Sequence, residues 1–227
     1  MRISEPFCIA ALSLLSCCSS AGRFDSSEIE CIRQTSGRGI MRVLRISDRD
    51  DSLRLRGQSR KVGPAMFRSP EYALLRERMS ATMNDPTDPG VGIAAPQVGV
   101  PIRLIAVQRT DKTGEPFEFY ADPRIVRRSK ARIAGYEGCL SIPDTAGTVC
   151  RPRRIVLRYR DGDTFEKRKE TVRGFASVIF QHEIDHLDGI LFIDRMMPSG
   201  DEKPEDDTTD DRPQARIRTG HPSGRSR

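Results

Sequence analysis

The stretch Gln181-His182-Glu183-Ile184-Asp185-His186-Leu187-Asp188-Gly189 constrains this chain most, because it sets H-E-x-x-H inside a helix-forming run. At about 100° per residue, positions i and i+4 lie roughly 40° apart on one helix face, so His182 and His186 can hold one metal ion together. Glu183 is turned from them by one residue, which brings its carboxylate to the side where a metal-bound water would sit. A metal-activated water beside a carboxylate base is machinery for hydrolysing an amide. Short patterns also arise by chance on surface helices. Here Phe175, Val178, Ile179, His182, His186 and Leu187 recur at three- and four-residue steps and define one buried face, and Gly189 supplies a stop. The ligand pair therefore points inward, towards a cleft.

A catalytic ion of this type takes three protein ligands and keeps one position open. His221 lies in a polar tail, which leaves Cys139, in Tyr136-Glu137-Gly138-Cys139-Leu140-Ser141-Ile142-Pro143, as the best third donor. A lone cysteine is otherwise a small buried hydrophobe. A further segment, Gly90-Val91-Gly92-Ile93-Ala94-Ala95-Pro96-Gln97, is rich in small residues and ends in an amide side chain. By itself it reads as a turn feeding a strand at residues 102–107. It lacks the Lys-Ser/Thr ending of a phosphate loop, which argues against a nucleotide site.

Taken together and in this order, the three segments resemble the peptide deformylase family, whose signatures are G-Φ-G-Φ-A-A-x-Q (Φ apolar), E-G-C-L-S and Q-H-E-x-D-H. The resemblance spans residues 41–198. It implies a metal-dependent hydrolase that removes the N-formyl group from N-formylmethionine at the start of newly made proteins, releasing formate. It also implies Cys139, His182 and His186 as metal ligands and Glu183 as general acid and base. Gln97 and the backbone N–H of Leu140 would donate to the oxygen of the attacked formyl group, where a tetrahedral intermediate needs fixed donors. The implied cofactor is one divalent metal ion, iron(II) in the working enzyme, with zinc, nickel or cobalt able to take its place; a thiolate ligand suits iron and zinc alike. Two other readings use the same residues: a metallopeptidase or amidase of different specificity, and a non-catalytic, metal-stabilised binding module. The binding module has no need of Glu183 or Gln97.

Glu137, two residues before the candidate cysteine ligand, can be a ligand, a brace or a solvated charge. A brace against Arg151 is the favoured reading, since outer partners orient metal ligands. The small residues Gly90, Val91 and Gly92 allow a peptide backbone to pair as an added strand. Val91, Val178, Ile179 and the stem of Glu137 are the expected lining of the apolar pocket for the methionine side chain. Val178 and Ile179 also suit ordinary core.

The expected fold class is α+β, with antiparallel or mixed β-sheets packed around a C-terminal metal-binding helix. Ser69-Pro70-Glu71 opens a helix that buries Tyr72, Leu75, Met79 and Met83, and Asn84-Asp85-Pro86 ends it. Strands are expected at residues 41–46, 102–108, 117–120, 124–127 and 155–159. Arg160-Asp161-Gly162-Asp163 reads as a hairpin turn with a strand returning over 164–172.

Residues 1–40 read as a leader and linker, 41–198 as the catalytic domain and 199–227 as a disordered charged tail. The run Phe7 to Leu15 has signal-peptide length and is too short for a membrane span. Leu14-Leu15-Ser16-Cys17 resembles a lipoprotein box with Cys17 as lipid acceptor, whereas a start at Met41 would remove it. The activity implies the cytoplasm, and a real leader implies a membrane-anchored lipoprotein. A thiolate beside iron(II) is readily oxidised outside a reducing compartment. The 38 basic and 32 acidic residues give a net charge of +6, dispersed along the chain and alternating with apolar positions. That pattern reads as a solvated surface with no nucleic-acid motif, leaving transient ribosome proximity as the expected contact besides nascent chains.

Overall fold

Alternating apolar and charged residues through the middle of the chain fold into strands, and the computed structural model describes them within residues 22–34 and 37–198. The strands are β1 (Gly92–Ala94), β2 (Leu104–Gln108), β3 (Phe117–Arg128), β4 (Arg132–Cys139), β5 (Ile142–Pro152), β6 (Arg154–Asp161) and β7 (Lys167–Arg173). Five form an antiparallel sheet in the order β1-β2-β3-β6-β7, while β4 and β5 form a separate hairpin. Helix α1 spans Ser26–Arg33, α2 Arg49–Leu55, α3 Pro64–Phe67, α4 Pro70–Met83 and α5 Gly174–Leu187. None of the described helices is long and apolar enough to cross a membrane. The apolar run near Cys17 and the charged tail lie outside the described residues.

The sheet buries both faces over β1, β2 and the start of β3. On one side Ile105, Val107, Tyr120, Ile155, Leu157 and Val172 pack with Ile179, Phe180, Ile184 and Leu187 of α5. On the other, Leu104, Ala106 and Phe119 pack with Tyr72, Leu75, Met79 and Met83 of α4. Full burial of each such side chain contributes about 1.5–3 kcal/mol before entropy is counted. Helix α4 begins as expected, with the Ser69 hydroxyl accepting the Tyr72 N–H at 3.3 Å and Pro70 at its first position. Gly189, at φ 73°, ends α5 in a backbone conformation that favours glycine.

Several expectations need correction. Helix α5 is buried from Ala176 to Leu187 rather than along one face, because the β4–β5 hairpin covers the side the sheet leaves open. Residues 41–46 run extended but form no strand: the Leu44 N–H donates to the Gln97 carbonyl at 2.7 Å and the Ile46 N–H to that of Ser141 at 3.0 Å. These are single bonds to two different segments, not a ladder. The two short strands expected at 117–120 and 124–127 are one strand with a register shift between Ala121 and Arg124, where Asp122 takes φ 51°. Strand β7 starts at Lys167 because Asp161 accepts from the N–H groups of Asp163 and Thr164, both at 3.0 Å, which widens the turn.

Packing also extends upstream of residue 41. Helix α1 lies upstream of it, opened by a capping box between Asp25 and Glu28. Its Ile32 is fully buried and joins Phe24, Met41 and the α4 side chains in one core. Residues 22–34 are therefore part of the packed body.

Candidate active site

Three elements meet at one buried point. Helix α5 brings His182, Glu183 and His186, the end of β4 brings Cys139, and the 3-10 turn Ala95–Val98 brings Gln97. The ligand atoms of Cys139, His182 and His186 all lie within 4.8 Å of one another, and all three residues are buried. Cys139 Sγ stands 3.3 Å from His186 Nε2. The His182 Nδ1 is held 2.9 Å from Glu137 Oε2, which leaves its Nε2 for the site.

This donor set suits one divalent cation. Burial works against charge on His182, but its hydrogen bonds with Cys139 and Glu137 outweigh it and raise its pKa, so the surroundings of this imidazole favour positive charge. Burial pushes His186 the opposite way, to the neutral imidazole that a metal requires. A sulfur and two imidazole nitrogens match the three-donor set of a catalytic site of zinc or iron type.

Glu183 lies beside the cage. Burial raises its carboxyl to about 7, and its Oε2 is buried without a hydrogen-bond partner among the described residues. A carboxyl near neutrality with a free oxygen is suited to taking and returning a proton. Gly92 makes room for it: a Cβ there would lie 2.6 Å from Glu183 Oε1 and 2.9 Å from Ile179 Cγ2.

The Gln97 amide is oriented by its own turn. Its Oε1 accepts the Ala94 N–H at 2.8 Å, so the amide nitrogen faces Cys139 Sγ at 3.4 Å and Ser141 Oγ at 3.3 Å. Leu140 follows Cys139 directly and is buried. Both residues expected to donate to the formyl oxygen thus adjoin Cys139, Gln97 in space and Leu140 in sequence.

Glu137 is the brace that its sequence position suggests. Arg151 donates to it from Nε at 2.5 Å and from Nη2 at 2.8 Å. Burial alone would raise the Glu137 carboxyl, but Arg151 and His182 hold it down at about 2. Only the stem of Glu137 remains for lining a pocket. Val178 and Ile179 are both buried, and Ile179 sits in the core of α5 and the sheet with Val91 packed against it. Gly90 and Gly92 flank Val91 at the start of β1, an edge strand of the sheet.

Sequence reasoning missed the rest of the brace. Asp185, between the two histidines, accepts from Arg151 Nη1 at 2.8 Å and from Arg195 Nε and Nη2 at 2.6 and 2.7 Å. Phe192 stacks on the His182 ring with centroids 6.1 Å apart. Ser141 was visible within the E-G-C-L-S segment but carried no spacing signal of its own. Arg195 carried none at all, because its partner is a side chain ten positions earlier across a turn.

The polypeptide deformylase family pattern matches residues 40–202. The peptide deformylase of Chlorobaculum parvum is 43% identical over 142 residues, covering 59% of this chain and 72% of the relative. That of Leptospira biflexa is 34% identical over 149 residues, 63% of this chain and 82% of the relative. The class I type b peptide deformylase from Acinetobacter baumannii with K3U bound has TM-score 0.61 and 34% identity, over 69% of this chain and 99% of that one. The same enzyme with Met-Ala-Ser bound has TM-score 0.59 and 33% identity, over 69% and 98%. A match over that much of the chain, carried through to nearly whole solved enzymes, has one consequence: the chain belongs to the polypeptide deformylase family.

Proposed function

We propose that Cys139, His182, His186 and Glu183 form the reaction centre of this enzyme, which removes the formyl group from the N-formylmethionine of newly made proteins. The observation that carries the assignment is the convergence of three ligand atoms within 4.8 Å beside the unpartnered carboxylate oxygen of Glu183. A divalent cation held by Cys139, His182 and His186 would supply Lewis acidity and a nucleophile at neutral pH. Iron(II) is our choice of ion, with zinc, nickel and cobalt as the alternatives.

The chain's own residues then divide the work. Glu183 takes the proton of the attacking water and returns it to the departing amine, so formate and a free N-terminus leave together. The Gln97 amide and the Leu140 N–H donate to the formyl oxygen as charge builds on it; removing one such donor costs about 3–4 kcal/mol in comparable sites. Glu137 and Arg151 fix the tautomer of His182. The open edge of β1 pairs with the peptide backbone at Gly90, Val91 and Gly92. The Met-Ala-Ser peptide held by the A. baumannii enzyme is the kind of occupant this edge would take. Its first side chain would lie against Val91, Val178, Ile179 and the Glu137 stem.

The test is anaerobic purification, elemental analysis and assay on formyl-Met-Ala-Ser and acetyl-Met-Ala-Ser. Iron should dominate and formate should be released, with the acetyl peptide nearly untouched. Comparable rates on the two peptides would favour the broader amidase reading, and full turnover by metal-stripped protein would remove the ligand assignment.

A further inference from the structure

Dispersal of charge along this sequence does not mean dispersal in space. In β6 and β7 most cations stand at every second position, Arg154, Arg158 and Arg160 on the one and Lys167, Lys169 and Arg173 on the other, and alternation sends every second side chain to the same face. The strand register aligns them: Arg124 stands opposite Arg158, which stands opposite Lys169. Arg154 stands opposite Arg173, and Arg127 opposite Val156, which faces Thr171. These three rows hold six exposed cations and no carboxylate.

This face lies opposite α5, whose core takes the intervening Ile155, Leu157 and Val172. Arg168, out of step with the rows, is paired with Asp161 and Glu166. The six cations have no ion-pair partner among the described residues. Like charges directly opposite one another destabilise a sheet, so an uncompensated lattice of them carries a folding cost with no structural return.

We propose that this face of β3, β6 and β7 binds the phosphate backbone of RNA without regard to sequence. Five of the six cations are arginine, whose guanidinium fork matches phosphate oxygens two at a time. Their spacing, about 4.8 Å across strands and about 6.8 Å along them, presents a continuous cationic surface. Among the rows the sole apolar residue is the half-buried Val156, so the face offers nothing to insert between lipids, which sets RNA ahead of an anionic membrane. An enzyme of newly made chains would be held near its substrates by such a surface. The proposal rests on the sheet and not on the reaction centre, and binding is read without catalysis.

The experiment measures anisotropy of a fluorescent RNA hairpin titrated with the full chain across a salt series. Wild-type protein should bind with an affinity that falls steeply with salt. The triple change Arg124→Glu, Arg158→Glu and Lys169→Glu should weaken binding by about tenfold or more and flatten the salt slope by roughly two to three units. Formate release from formyl-Met-Ala-Ser should be unchanged in it. If reversal harms folding, Arg158→Gln with Lys169→Gln gives the milder form, with a proportionate loss expected. Reversal of the exposed Arg38, Arg49 and Arg68, away from this sheet, should change affinity by no more than about twofold. The proposal fails if wild-type protein shows no saturable RNA binding, if both triples lose equally, or if wild-type protein prefers phosphatidylserine vesicles to the hairpin.

Discussion

Glu183 owes its character to being buried and left one oxygen short of a partner. Replacing it by glutamine keeps shape and removes the proton acceptor. Glu183→Gln should therefore retain its metal by elemental analysis while turnover falls by about 10²–10⁴; near wild-type turnover with full metal would overturn the assignment. Arg195 acts at one remove. Its bidentate grip on Asp185 restrains Arg151, which grips Glu137, which fixes His182. Truncating Arg195 to methionine keeps the stem and frees Asp185 from one partner. Metal affinity, measured by competition with a chelator, should drop about tenfold or more, and Arg195→Lys should recover part of it. A purely structural Arg195 would lower melting temperature and leave chelator competition unchanged.

Among the elements, β1 and the β4–β5 hairpin set the site's shape. Gly92 on β1 has no room for even a methyl group, since Glu183 and the buried Ile179 already occupy the space. Gly92→Ala should displace the Glu183 carboxylate and cut kcat by about tenfold or more, with little change in far-ultraviolet circular dichroism. Wild-type kcat would mean that the carboxylate has slack. His182 and His186 were legible as a pair through helical period, whereas the expected roles of Cys139 and Gln97 came from the order of the three segments, that is, from the family resemblance, and not from any spacing of their own. Helix α4 was legible for a local reason as well, through Ser69, Pro70 and one apolar face. What local pattern does not encode is a partner chosen at long range. The run Met41-Arg42-Val43-Leu44-Arg45-Ile46 looks like an opening strand, yet the Leu44 and Ile46 N–H groups go singly to Gln97 and Ser141, and that of Met41 to the Thr82 hydroxyl. Asp185 and Arg195 find each other only once α5 has turned at Gly189, and the cation rows exist only once strand register is fixed.

At the scale of the whole molecule, α1 shows that the packed body is larger than the motif-bearing segment. The helix is short, and its apolar side chains, Ile29 and Ile32, are too few to signal an element from sequence. Tertiary packing supplies what propensity does not. Ile32 is fully buried against α4, Phe24 is nearly so, and Glu28 pairs with Arg60 at 2.5 Å, tying the helix to the segment between α2 and α3. Helix α1 supplies none of Cys139, His182, His186, Glu183 or Gln97, so its expected contribution is to stability. Burial of Phe24 and Ile32 contributes about 3–6 kcal/mol, against which the ordering of α1 must be set. A chain cut to residues 41–198 should thus be less stable than one spanning 22–198, by an amount of order 2–4 kcal/mol, which lowers the melting temperature by about 5–15 °C. Its turnover per folded molecule should be unchanged at low temperature. Ile32→Ala in the full chain should reproduce about 2–5 kcal/mol of destabilisation without any cut. Equal melting temperatures for the two truncations would show that α1 rests on the domain without stabilising it.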